Sequence, residues 1–122
     1  MDLSIKTHKD LDVWKLAIEL ARDVYDLTKI LPKNEMFGIT SQMRRAAVSI
    51  ASNIAEGAAR QTKKEFSQFL HIASGSASEI DTIIEILRVT NLCQPPELNK
   101  LQEKNTRISK MLNGLNRKLK SC

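Results

Sequence analysis

The chain has 122 residues, enough for one domain spanning 1–122 whose core needs no disulfide or metal staple. With 42% hydrophobic and 27% charged residues it reads as a soluble globular protein, which excludes low-complexity and collagen-like classes. The net charge is +5, from 19 basic and 14 acidic residues, and its concentration in the C-terminal segment suggests an anionic partner.

The opening "MDLSIKTHKD" carries charge where a secretory signal needs an apolar run. The longest uncharged stretch, Phe66 to Ser78, is too short and polar to span a bilayer, so a cytoplasmic protein without membrane contact is expected. Cys93 and Cys122 form no C-x-x-C pattern and read as reduced thiols.

Taken in chain order, the pattern is helical throughout. "THKD" (Thr7–Asp10) has the hydroxyl and acid of a helix start, which places helix 1 from about Lys9 to Leu31, with Pro32 ending it. Helix 1 carries one narrow polar stripe (Asp12, Lys15, Glu19, Arg22, Asp26, Lys29) and more apolar residues than one bundle core uses. A second buried face, between subunits, is therefore expected, with Trp14 in the core or at that interface. "PKNEMFG" is a loop. Helix 2 then spans about Ile39 to Ala59, with the small core residues Ala46, Ala47, Ala51, Ala55 and Ala58.

Thr62 and Glu65 form a capping box that starts helix 3. Its apolar residues, from Phe66 through Leu70, Ala73, Ala77, Ile80 and Ile84 to Leu87, keep a 3.6-residue period to about Thr90. "NLCQPPE" breaks the pattern, and Pro96 with Glu97 opens helix 4. There Leu98, Leu101, Asn105, Ile108, Leu112, Leu115 and Leu119 form a strict heptad. Four amphipathic helices joined by short turns define an all-α fold, an up-down-up-down four-helix bundle.

Helix 2 also carries polar residues that helix interiors do not favour. Arg45, Ser49, Asn53 and Glu56 recur on one face, matched on helix 3 by His71, Ser74, Gly75 and Ser78. The reading is a structural polar seam: Asn53 and Glu56 bond to helix 3 hydroxyls, to backbone or to Arg45, while Gly75 admits a tightly packed helix. The catalytic alternative, Glu56 as a base with His71, lacks a supporting constellation. Neither His8 nor His71 follows a Glu at the spacing of a di-iron bundle, and His71 reads as a half-buried packing residue. No catalytic residue, metal or cofactor is expected.

The block from Gln42 to Ile80, "QMRRAAVSIASNIAEGAARQTKKEFSQFLHIASGSASEI", resembles the bacterial four-helix-bundle proteins known as 23S rRNA intervening-sequence proteins. The upstream Trp14, the proline-ended helix and Gly38 fit the same pattern, so the resemblance covers about residues 10–92. It implies a non-enzymatic all-α subunit of a ring, commonly a homopentamer. A related branch, the accessory variability determinants of diversity-generating retroelements, binds nucleic acid and a reverse transcriptase, so RNA, DNA or such a protein are the implied partners.

Charge distribution supports the nucleic-acid reading. Between residues 100 and 120, Lys100, Lys104, Arg107, Lys110, Arg117, Lys118 and Lys120 are balanced by Glu103 alone, which leaves the remaining chain close to neutral. With the heptad inside, these residues are expected on outer faces, joined by Arg60, Lys63 and Lys64 as phosphate contacts. No aromatic residues interleave with them, so binding is expected to follow charge and shape rather than base sequence. The alternatives are a protein-protein scaffold, or a lysine-rich face that only aids solubility.

Overall fold

The computed structural model describes residues 7–121, Asp10 by its backbone alone. The signal-peptide reading of residues 1–6 and the reading of Cys122 lie outside them. Four α-helices carry the fold: α1 Asp12–Thr28, α2 Ser41–Ala58, α3 Lys63–Val89 and α4 Pro95–Lys120, with no strand among the described residues.

Cross-helix contacts fix the arrangement. Arg44 of α2 reaches Thr28 at the end of α1, Ser49 meets Ser76 of α3, Asn105 of α4 meets Ala77, and Lys104 meets Asp23 of α1. Each neighbouring pair therefore runs antiparallel, and α4 closes the bundle by lying between α3 and α1. Leu20, Val24, Met43, Ile50, Ile54, Leu70, Ile80, Ile84, Leu87, Leu98, Ile108 and Leu112 fill the centre. No described helix is long and apolar enough to cross a membrane.

Local chemistry explains most helix ends. Thr62 Oγ1 accepts the backbone N–H of Glu65 at 3.1 Å and donates to its carboxylate at 2.8 Å, so the capping box starts α3 as expected. Pro95 stands at the first position of α4, one residue before the expected start. Asn91, at φ 56°, turns the chain out of α3 in the left-handed conformation that asparagine tolerates.

α1 is shorter than expected at both ends. Thr7 Oγ1 accepts the amide of Lys9, two residues on, and caps only the short turn His8–Asp10. At the other end Ile30 and Leu31 donate to Leu27 and Thr28, tightening the chain into three-residue turns before Pro32. Most of its apolar surplus is absorbed: Trp14 and Ala21 pack against the core, and Ile18 and Tyr25 stay exposed. A wide turn over Met36–Thr40, kinked at Gly38, delays α2 to Ser41.

Two packing expectations are overturned. Leu115 is only half-buried, and Asn116 takes the inner position. Asn116 is held there by Ser67 and His71 of α3, while Leu119 returns to the expected inner position. The second concerns glycine. A Cβ at Gly75 would meet nothing within 4 Å, so no helix packs tightly there; the close approach is at Gly57.

Candidate nucleic-acid interface

The antiparallel order brings the end of α2, the start of α3 and the end of α4 to one end of the bundle. Arg60, Lys63, Lys64, Arg117, Lys118 and Lys120 gather there and are all exposed. Their acidic neighbours on these segments are occupied: Glu56 pairs with Arg60 at 3.3 Å, and Glu65 is held by Thr62. Arg60 also lies over the Phe69 ring, 4.8 Å from its centroid, which fixes its guanidinium.

Between α3 and α4 this end opens into a cleft of about 490 Å³, lined by Lys63, Lys64, Ser67, Gln68, His71, Leu119 and Lys120. No acidic residue lines it. Its inner wall is hydrogen-bonded: Ser67 Oγ donates to Asn116 Oδ1, and Asn116 Nδ2 lies 3.2 Å from His71 Nε2. Because the serine proton commits Asn116 Oδ1 as acceptor, the amide donates to Nε2. His71 is thus exposed and part of the basic end, not the half-buried packing residue expected from sequence.

The rest of the basic helix is divided differently. Lys104 does not stand on an outer face: its Nζ sits 2.6 Å from Asp23 and 3.5 Å from Glu19, and its side chain is 23% exposed. α1 neutralises it. Lys100 borders a groove whose rim holds Asp23, Asp26 and Glu97. Arg107 and Lys110 are exposed midway along α4, beside Glu103. Positive charge is therefore concentrated at one end of the bundle rather than spread along α4.

The polar seam contracts to a single bridge. Ser76 Oγ donates to Ser49 Oγ at 2.9 Å and joins α2 to α3. Asn53 is half-buried, but its amide stays on α2, donating to the carbonyl and hydroxyl of Ser49. Glu56 is exposed, Ser78 is exposed, and Ser74 is half-buried without a bond across the interface. Arg45 is exposed beside a shallow niche with Gln42, Ser49, Ser76 and Glu79.

A buried polar contact does join α3 and α4. Asn105 Nδ2 donates to the Ala77 carbonyl at 2.9 Å, and its Oδ1 is buried without a partner. A buried asparagine in an apolar seam fixes helix register more than it adds stability. Cys93 is a free, buried thiol whose pKa is raised by burial and by nearby Glu97, which makes it a poor nucleophile. No group of three or more metal-ligating side chains occurs among the described residues.

These features define an all-α four-helix bundle with one electropositive end and a cleft between its third and fourth helices. The chain belongs to the 23S rRNA-intervening sequence protein family, whose model matches residues 9–114. It is similar to a crystal structure of a protein with unknown function from the S23 ribosomal protein family of Bacteroides thetaiotaomicron VPI-5482. The two share 26% identity over 86% of this chain and 95% of that one, with a TM-score of 0.80. No curated protein matches the sequence.

Proposed function

We propose that this protein is a non-catalytic nucleic-acid-binding accessory protein, which holds the phosphate backbone at the basic end of its bundle. The observation that carries this reading is the meeting of Lys63 and Lys64 with Lys120 around a cleft that no acid lines. Charge of one sign in a concave, partly apolar site focuses the field on an anion. Without aromatic residues between the basic ones, recognition follows backbone charge rather than base identity.

Fluorescence anisotropy with a labelled single-stranded RNA tests the reading. Five phosphate contacts on a single strand give an affinity loss of about a hundredfold between roughly 50 and 200 mM salt. No binding at the lower salt, or binding indifferent to salt, removes the proposal.

A second observation favours self-association. Tyr25, Met36, Phe37 and Val48 line an open groove on the α1–α2 side, and Phe37 is 98% exposed. A large aromatic side chain so placed is unusual for a monomer and suits a second copy of the chain. Light scattering at micromolar concentration is expected to give a closed oligomer of fixed mass, five subunits by the resemblance, and Phe37→Asp is expected to dissociate it. A monomeric wild type overturns this reading.

A further inference from the structure

We propose that the cleft between the start of α3 and the end of α4 is a receptor for the terminal phosphate of a nucleic-acid strand. This rests on the nucleic-acid reading above and gives the basic end a specific ligand, a phosphomonoester attached to a nucleoside.

Three features of the cleft separate it from a general basic surface. Its lysines come from two helices, Lys63 and Lys64 from one and Lys120 from the other, so the cleft is lined with positive charge on both sides. The clefts beside Lys100 and Lys110 hold acids, Asp23, Asp26 and Glu97 in one and Glu103 in the other. Here none is present, and an incoming anion is not opposed. The volume, about 490 Å³, exceeds what one phosphate fills and lies in the range of small-ligand sites. Leu119 and the lysine stems offer an apolar wall for the attached sugar and base.

The donors are also pre-set. Asn116 is buried, and Ser67 fixes its amide so that it holds His71 Nε2. That fixes the His71 ring at the cleft wall through a side chain that does not itself move into solvent. Gln68 adds a neutral amide beside it. A backbone phosphodiester carries a single charge, so it gains less from three lysines that no acid opposes. A terminal phosphate ends the chain, projects into the concavity and carries between one and two charges near neutrality. The cleft fits the second better.

The test uses the full chain and one internally labelled RNA 12-mer made with a 5′-phosphate, a 3′-phosphate or hydroxyls at both ends. Anisotropy titrations at fixed moderate salt compare the three. One phosphorylated strand is expected to bind about tenfold more tightly than the hydroxyl strand, the size of one charge-assisted hydrogen bond. Which of the two does so identifies the recognised end. In a His71→Ala/Lys120→Ala variant, checked by thermal melting for an intact fold, that ratio is expected to fall to about one. Equal binding of all three strands by wild type, or a preference that survives in the double variant, overturns the phosphate receptor and leaves backbone binding in place. Failure of every strand to bind overturns both.

Discussion

Gly57→Ala is expected to destabilise the bundle by about 2 kcal/mol, while Gly75→Ala is expected to stabilise it by up to about 1 kcal/mol. The two glycines share chemistry and differ in surroundings. A Cβ at Gly57 would lie 2.8 Å from Phe66 Cδ1, 2.8 Å from Phe69 Cβ and 3.2 Å from the Phe66 carbonyl oxygen. Two of these atoms cannot rotate away, because a Cβ and a carbonyl oxygen move only with the backbone. The connection between α2 and α3 is short, so the helices approach closely as the chain reverses, and Phe66 is buried against the joint. Overpacking at such a site costs about 3 kcal/mol at the upper end, and the better helix propensity of alanine returns about 1. At Gly75 the space is open and only the propensity gain applies. Urea unfolding should move the two midpoints in opposite directions. A Gly57→Ala midpoint equal to the parent's would show that the joint relaxes freely. A destabilised Gly75→Ala would show that another surface covers that face.

The contrast between these glycines marks where sequence reasoning works. The capping box at Thr62 and Glu65, the proline at the start of α4 and the 3.6-residue apolar period of α3 are short-range signals. Each is decided by residues within a turn or two, and each was legible. Gly57 and Gly75 look alike locally, since what distinguishes them is the approach of a neighbouring helix. The same holds for Asn116, whose partners Ser67 and His71 lie on α3, and for Lys104, whose partners Asp23 and Glu19 lie more than 80 residues away. The Ser67–Asn116–His71 wall could have been inferred by folding α4 back on α3 across the proline turn. That operation sets residues 63–71 against 116–120, and it uses topology that the helix count already supplied.

The seam failed for a related reason. Helical spacing correctly placed Arg45, Ser49, Asn53 and Glu56 near one face, but spacing cannot tell whether that face turns inward. Asn53 satisfies its amide on its own helix, as asparagine commonly does. Glu56 finds Arg60 one turn later and needs no partner on α3.

Lys63→Glu/Lys64→Glu/Lys120→Glu is expected to lower RNA affinity by about a thousandfold at 50 mM salt, at roughly tenfold for each lost phosphate contact. The choice of residues decides whether the result can be interpreted. Reversing Lys104, Arg107 and Lys110 would follow from the sequence alone. Lys104→Glu, however, would place a third carboxylate against Asp23 and Glu19 in a half-buried site, and lost binding would be confounded with a damaged α1–α4 contact. Lys63, Lys64 and Lys120 are exposed and make no ion pair among the described residues. Lys63 and Lys64 occupy the first turn of α3, where glutamate complements the helix dipole, and this offsets the less favourable glutamate at the end of α4. Thermal melting should therefore change little while anisotropy changes greatly. If the triple variant melts as wild type does and binds RNA equally well, the basic end is not the nucleic-acid surface.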